Sequence, residues 1–232
     1  MCPPLTRRHR SERVRTEGRS SRRKNKPGEK GDRKENPSVS LFLTFLCGCV
    51  EICTRPKEED RVIDVQTARI AGTVRHSSVD GPGVRYVVFF QGCPHHCKAC
   101  QNPETWDPAG GEEIILEDLA QEMRRTKFLD GITLSGGDPL RQPAAVICMA
   151  DAAHEKGLPV WCYTGWTFEE VLAGKAGDLA VEALSHIDVL VDGPFIEALR
   201  SRDCIYRGSS NQRLIDVPGS LAAKKAVELK DI

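Results

Sequence analysis

The sequence has no apolar run long enough to cross a membrane. Its longest apolar stretch, residues 41–53, has 13 residues, whereas a transmembrane helix needs about 20. This stretch follows forty mostly polar residues, an order that a cleavable secretory signal does not have. We therefore expect no membrane anchor, a cytoplasmic location, and reduced thiols at the 10 cysteines rather than a disulfide framework.

The sequence also lacks net charge, but its two parts differ. Residues 1–40 contain 13 Lys/Arg and 5 Asp/Glu, and the remainder of the chain has a net charge of −8. An acidic body argues against nucleic acid as an obligatory partner. The basic segment has too few apolar residues to offset the entropy of ordering it. We therefore predict a disordered extension over 1–62, which need not belong to the fold, and one folded domain over 63–232.

The main group of cysteines lacks a fourth ligand. Cys93, Cys97 and Cys100 follow an apolar run at spacings of x3 and x2. Thiolates suit zinc or iron–sulfur clusters, and closed zinc sites or electron-transfer clusters take four ligands. His95 and His96 lie inside the loop that the cysteines pin, which disfavours them as the fourth. Three thiolates on a four-iron cluster leave one iron open, whereas a zinc site would need a distant ligand. The candidates for that distant ligand are Cys148, Cys162 and Cys204.

A second group, Cys47, Cys49 and Cys53, has no accompanying ligands or framing turns. We do not expect a second metal site there.

Strand-like and helix-like patterns of apolar residues alternate along the chain and predict an α/β fold. Strands are expected over 84–91, 131–134, 159–163 and 187–191, with a fifth over 213–217. Helices are expected over 116–127, 144–155, 167–172, 179–185 and 221–229. Strands that alternate with helices pair in parallel, with the helices packed outside. Four or five strands are too few for a closed eight-stranded barrel, so we expect an open, partial (β/α) barrel.

Several motifs together resemble those of a known family. They are Asp-Gly-Pro-Gly-Val-Arg at 80–85, the cysteine triplet, Cys-Gln-Asn at 100–102 with Thr-Trp at 105–106, Leu-Ser-Gly-Gly-Asp-Pro-Leu at 134–140, Asp-Val-Leu-Val-Asp-Gly at 188–193 and Arg-Gly-Ser-Ser-Asn-Gln at 207–212. The triplet resembles the signature of the radical S-adenosylmethionine (radical-SAM) enzymes. The full set, over about residues 66–216, resembles their glycyl-radical-enzyme activating family, in particular the activators of anaerobic ribonucleoside-triphosphate reductase.

The resemblance implies two cofactors, a [4Fe-4S] cluster and S-adenosyl-L-methionine, with Cys93, Cys97 and Cys100 as the cluster ligands. It also implies a set of residues around S-adenosylmethionine: Ser135, Gly136, Gly137 and Asp138 for its amino-acid end, and Ala99 and Gln101 for its adenine. Many radical-SAM enzymes have an aromatic residue where this chain has Ala99, so the backbone there would support the adenine. Paired glycines admit a ligand close to the backbone. The same turn is also typical of a strand-to-helix connection with Asp138 as N-cap.

The implied reaction is reductive cleavage of S-adenosylmethionine, followed by removal of hydrogen from a glycine of the reductase large subunit. Asp80 would lie on the side where the partner's loop arrives, and a low-potential donor such as flavodoxin or ferredoxin would supply electrons. Ser209, Ser210 and Asn211 can bind the cofactor or cap a turn, while Trp161 and Tyr163 fit the core or the rim. Two other hypotheses are a radical-SAM enzyme of another kind, such as a different activase or a deazaguanine-synthase-like enzyme, and a non-catalytic zinc module.

Overall fold

The computed structural model of the protein describes residues 67–229, and the predicted extension over 1–62 lies outside these residues. Seven strands form one sheet: β1 (Thr67–Ser77), β2 (Arg85–Phe90), β3 (Glu112–Ile115), β4 (Gly131–Gly136), β5 (Val160–Tyr163), β6 (Val189–Asp192) and β7 (Arg213–Asp216). Five α-helices accompany them: α1 (Leu116–Arg125), α2 (Pro143–His154), α3 (Phe168–Leu172), α4 (Asp178–Leu184) and α5 (Val217–Ala223).

The sheet is open, with the strand order β3-β1-β2-β4-β5-β6-β7. Its four central strands, β2, β4, β5 and β6, pair in parallel. The flanking strands β1, β3 and β7 pair antiparallel. The α/β class and the open architecture are therefore confirmed. The four strands predicted over 84–91, 131–134, 159–163 and 187–191 pair in parallel as expected, whereas the fifth, β7, is antiparallel, and β1 and β3 were not predicted.

The chain between β6 and β7 explains the direction of β7. Parallel neighbours need a crossover, usually a helix, but this segment contains only a 3-10 turn at Glu197–Leu199. The predicted C-terminal helix was also misplaced. It begins at Val217, where Asp216 caps it by accepting a hydrogen bond from Gly219 N (3.3 Å). It ends at Ala223, before Lys224, whose φ is 54°. The following residues return to β7, where Leu229 N donates to Leu214 O (2.7 Å).

The two faces of the sheet bury different kinds of residue. Alternate side chains of the central strands, such as Val88, Leu134 and Leu190, join the helices in a large apolar core on one face. The opposite, inner face carries a smaller apolar cluster of Trp161, Val191 and Leu214. Polar side chains are also buried there. Because one face supplies most of the apolar burial, the inner face is available for a ligand cavity. None of the helices in the described range has the length and apolar character that crossing a membrane requires.

Asp192 joins three elements near the end of β6. Its side chain, 1% exposed, accepts hydrogen bonds from Phe168 N (2.7 Å) and Arg213 Nε (3.0 Å). Arg213 also pairs with Glu169, whose side chain is 56% exposed. Two carboxylates thus share one arginine, one in a buried and one in an exposed setting.

We predict that Asp192→Ala lowers the free energy of unfolding by about 3 kcal/mol, because it leaves a buried amide without its acceptor and Arg213 without its buried carboxylate. Glu169→Ala removes the exposed partner of the same arginine and should cost about 0.5 kcal/mol. Urea denaturation of both variants measures the difference. Equal losses would contradict this account of Arg213.

Candidate active site

The pairing of β2 with β4 brings the two main motifs together. Phe89 lies opposite Ser135, and Phe90 lies opposite Gly136, in parallel register. The cysteine loop follows β2, and the Gly136–Gly137 turn ends β4. Both motifs therefore lie at the carboxyl edge of the sheet, where α/β proteins bind ligands.

Backbone hydrogen bonds connect these two segments. Gly137 N donates to Phe90 O (2.8 Å) and Asp138 N donates to Gly92 O (2.9 Å). Gly92 N in turn donates to Thr105 O (2.8 Å), and Cys93 N donates to Trp106 O (3.1 Å). The start of the cysteine loop is thus held between the glycine turn and the segment that closes the loop.

The loop turns sharply twice between its cysteines. His96 and Ala99 have φ values of 47° and 57°, in the left-handed region that non-glycine residues rarely adopt. Cys100 N donates to Cys97 O (3.1 Å) in the second turn. These turns direct all three cysteines toward one cavity.

The cavity has a volume of about 240 Å³. It is lined by most of the predicted site residues: Cys93, Cys97, Cys100, Gln101, Asp80, Ser135, Gly136 and Gly137. Ala99 is exposed and Asp138 is fully buried, and neither is among the lining residues. The structure therefore brings eight of the ten predicted residues to one space.

The fold itself explains both glycines of the turn. A Cβ at Gly136, where φ is 101°, would lie 2.5 Å from Phe90 N. A Cβ at Gly137 would lie 2.5 Å from Gly92 O and 2.9 Å from Thr105 O. Close packing against β2 at Gly136, and against Gly92 and Thr105 at Gly137, therefore excludes side chains here, independently of any ligand. The role of these glycines in binding S-adenosylmethionine stays a prediction.

Asp138 acts as a cap, as the alternative interpretation of the turn expected. Its carboxylate accepts hydrogen bonds from Leu140 N (3.0 Å), Thr164 Oγ1 (2.9 Å) and Gly165 N (3.2 Å). Its second oxygen also accepts a bond from His95 Nε2 (2.7 Å). The side chain thus contacts protein groups beneath the turn, so a part in cofactor binding would be indirect.

Asp80 lies in a buried polar network on the inner face. Ser77 Oγ donates to its carboxylate (2.5 Å), and Thr133 Oγ1 donates to its backbone carbonyl (2.7 Å). Arg85, 1% exposed, donates to Thr133 Oγ1 (2.7 Å) and lies 5.4 Å from the centre of the Trp161 ring. Burial lowers the pKa of Arg85 to about 10, so it stays charged at neutral pH.

The segment between β6 and β7 supplies cavity residues that the sequence analysis missed. They are Phe195, Tyr206, Arg207 and Gln212, and the turn after β5 adds Thr164. Tyr163 also lines the cavity and donates from its hydroxyl to Tyr206 O (2.8 Å). The motif at 207–212 was the available signal, but the sequence analysis weighed only its central residues.

The central residues of the 207–212 motif form hydrogen bonds within the segment between β6 and β7. Ser209 is fully buried and accepts a hydrogen bond from Ile196 N (3.2 Å). Asn211 Nδ2 donates to Pro194 O (2.8 Å). These hydrogen bonds are with the protein chain and agree with the turn-capping alternative.

All six cysteines within residues 67–229 are free thiols. Cys148 packs against the large core and Cys162 is fully buried within it, whereas Cys204 lines the same cavity as the triplet. Of the three distant candidates for a zinc ligand, only Cys204 is therefore placed near the site.

The residues present fit a three-cysteine cluster with an adjoining ligand. Three soft donors face one cavity, although no three His, Cys, Asp or Glu side chains in the described range are arranged around a single ion. Burial raises the pKa of Cys93 and Cys97, so metal binding has to displace protons from these thiols. Within the described chain, Trp106 Nε1 and Arg207 Nε are buried without a hydrogen-bond partner. Both residues line the cavity, which therefore offers two donors to a ligand.

Comparison with known proteins agrees with this geometry. Residues 79–215 match a family described as a 4Fe-4S single cluster domain. The anaerobic ribonucleoside-triphosphate reductase-activating protein of Enterobacteria phage T4 is 33% identical over 143 residues, which cover 59% of this chain and 86% of the relative. The protein of that name from Escherichia coli K12 is 36% identical over 143 residues, covering 58% and 89%.

A relative whose name gives a different activity is also similar. The pyruvate formate-lyase-activating enzyme of Clostridium pasteurianum is 40% identical over 119 residues, which cover 47% of this chain. The match spans 49% of that enzyme, about half its length.

We predict that Cys93→Ala, Cys97→Ala and Cys100→Ala each abolish cluster binding, because three thiolates are the fewest that leave a single iron open. Cys204→Ala is the matched control, since it removes a thiol from the same cavity. It should retain iron and sulfide at the level of the unmodified protein. Iron and sulfide analysis after anaerobic reconstitution measures this, and loss of iron in Cys204→Ala would overturn the ligand assignment.

Proposed function

Since this chain belongs to the 4Fe-4S single cluster domain family, together with the anaerobic ribonucleoside-triphosphate reductase-activating proteins, we propose that it is a radical-SAM activating enzyme. Its reaction forms a glycyl radical on an anaerobic ribonucleoside-triphosphate reductase. One observation carries the proposal: three free thiols and the Gly136–Gly137 turn line the same cavity.

Cys93, Cys97 and Cys100 would hold three irons of a [4Fe-4S] cluster and leave the fourth open to S-adenosylmethionine. When bound, the cluster would supply the one electron that cleavage of the carbon–sulfur bond of S-adenosylmethionine requires. The cofactors carry this chemistry, and the protein contributes orientation and electrostatics.

The protein orients S-adenosylmethionine through the groups that line the cavity. Ser135, Gly136 and Gly137 lie along one wall, and Gln101 follows the third cysteine. Trp106 and Arg207 each add a buried donor that has no hydrogen-bond partner in the described chain. We assign the turn to the amino-acid end of the cofactor, and the backbone around Ala99 and Gln101 to its adenine.

The partner's glycine loop would enter beside Asp80. Asp80 lines the cavity, and the neighbouring Val79 lines it too while being 46% exposed. A glycine that enters on this side would bring its Cα hydrogen to the cavity that would hold S-adenosylmethionine. We assign to Asp80 the role of holding the incoming backbone.

The large subunit of the anaerobic ribonucleoside-triphosphate reductase is the proposed partner, and a low-potential flavodoxin or ferredoxin is the proposed electron donor. Neither nucleic acid nor a membrane has a part in this proposal. Free thiols at the site suit a reducing cytoplasm.

Activation of a different glycyl-radical enzyme is the second candidate. The similarity to a pyruvate formate-lyase-activating enzyme favours it, at 40% identity. The reductase activators are matched over 86–89% of their length, against 49% for that enzyme. We therefore place the reductase first.

We predict that the anaerobic, reduced protein produces a carbon-centred radical on a cognate reductase in the presence of S-adenosylmethionine. Electron paramagnetic resonance should show a doublet that narrows when the reductase glycines carry deuterium at Cα, because the Cα hydrogen splits the signal. Formation of 5′-deoxyadenosine without a protein radical, stimulated by a small molecule, would exclude the activator function and retain radical-SAM chemistry. Bound zinc with no cleavage would support a non-catalytic module.

We predict that Asp80→Asn lowers the rate of glycyl-radical formation about tenfold, the effect of about 1.4 kcal/mol on the barrier of the transfer step. Cleavage of S-adenosylmethionine without the reductase should change little, because Asp80 acts on the partner's side. Ser77→Ala is the control: it removes a hydrogen bond to Asp80 but keeps the carboxylate. If Asp80→Asn reduces both reactions equally, Asp80 belongs to the cofactor site instead.

A further inference from the structure

His95 makes a buried hydrogen bond to a residue outside the cysteine loop. It lies between Cys93 and Cys97, and its Nε2 donates to Asp138 Oδ2 over 2.7 Å. Its side chain is only 13% exposed, and the Asp138 side chain is fully buried. The sequence analysis considered His95 only as a metal ligand and disfavoured it, whereas the structure gives its ring nitrogen another partner.

Through Asp138, this bond connects the cysteine loop to two other segments. The Asp138 carboxylate also binds Leu140 N, Thr164 Oγ1 and Gly165 N. It therefore joins the segment after β4 to the segment after β5, and His95 adds the cysteine loop to this junction. A carboxylate with several buried donors has little freedom to move.

The imidazole ring is also confined by packing. It meets the Trp166 ring edge to face, with the ring centres 4.8 Å apart and an interplanar angle of 72°. Gly165 lies directly against it, since a Cβ at that position would collide with the His95 ring. The ring thus has a fixed position between Asp138, Gly165 and Trp166.

The adjacent His96 has a different environment. It is exposed, its ring contacts Pro94 O within its own loop (3.2 Å), and it meets Trp106 edge to face at 5.0 Å. Two neighbouring histidines of one loop therefore differ in burial and in the range of their hydrogen bonds.

We propose that His95 is a positioning residue that fixes the cysteine loop relative to the Gly136–Gly137 turn. The inference rests on the proposed function, because it concerns the binding of S-adenosylmethionine between those two segments. Asp138 directly follows Gly137, so the bond from His95 sets the separation between the turn and the Cys93–Cys97 part of the loop. A ligand that contacts both sides needs this separation to be held, whereas iron binding needs only the three thiolates.

His95→Ala, His95→Gln and His96→Ala test the proposal. Glutamine places an amide N–H near the position of the imidazole Nε2, so it can still donate to Asp138. His96→Ala changes the neighbouring histidine without touching Asp138. For each variant we would measure iron and sulfide content, the Kd for S-adenosylmethionine by anaerobic equilibrium dialysis, and amide hydrogen exchange at Gly165 in the metal-free protein.

His95→Ala should keep its iron and sulfide but bind S-adenosylmethionine about tenfold or more weakly, as expected for the loss of a charge-assisted hydrogen bond. Exchange at the Gly165 amide should accelerate, because the junction loses one of its members. His95→Gln should recover most of the affinity, and His96→Ala should match the unmodified protein.

Unchanged affinity and unchanged exchange in His95→Ala would overturn the proposal. Loss of iron in His95→Ala would also overturn it, since His95 would then be needed for the cluster itself. If the unmodified protein holds iron but does not bind S-adenosylmethionine, the proposed function fails. The exchange at Gly165 in the metal-free protein then still decides whether His95 holds the junction.

Discussion

The parallel pairing of β2 with β4 is the constraint on which the site depends. Because Phe90 lies opposite Gly136, both strands end at the same level, and the loops that follow them begin side by side. Hydrogen bonds from Gly137 N and Asp138 N to the end of β2 then hold these loops together. A register shift of one residue would reverse the faces of a strand and separate the thiols from the turn.

Close packing at this edge imposes a second requirement on the same residues. Gly136 has no room for a Cβ beside Phe90 of β2, and Gly137 has none beside Gly92 and Thr105. Both glycines also line the cavity. The motif therefore satisfies a folding condition before any ligand arrives. A glycine substitution here would disturb the cysteine loop and the cofactor side of the cavity together. Substitutions of the cysteines and of His95 therefore distinguish cluster binding from cofactor binding better.

The sequence predicted the central strands because their buried residues form short apolar runs between clear turns, as in 84–91. It missed β1 and β3, which lie at the antiparallel edge. The β3 sequence Glu-Glu-Ile-Ile is mostly exposed or half-buried and is held by its pairing with Thr67–Ile70, a long-range contact that periodicity does not reveal. The start of α5 was readable in principle, because Asp216 followed by Val-Pro-Gly is typical of a capped helix start.

The site could be predicted as far as its motifs are local. The cysteine spacing and the paired glycines identify the chemistry, but the bond between His95 and Asp138 joins residues 43 positions apart. No local pattern specifies it. Once it is seen, the buried aspartate of the glycine motif has a physical role that does not require contact with the cofactor. It collects donors from three segments, so the geometry of the cavity wall depends on a side chain that the ligand need not touch.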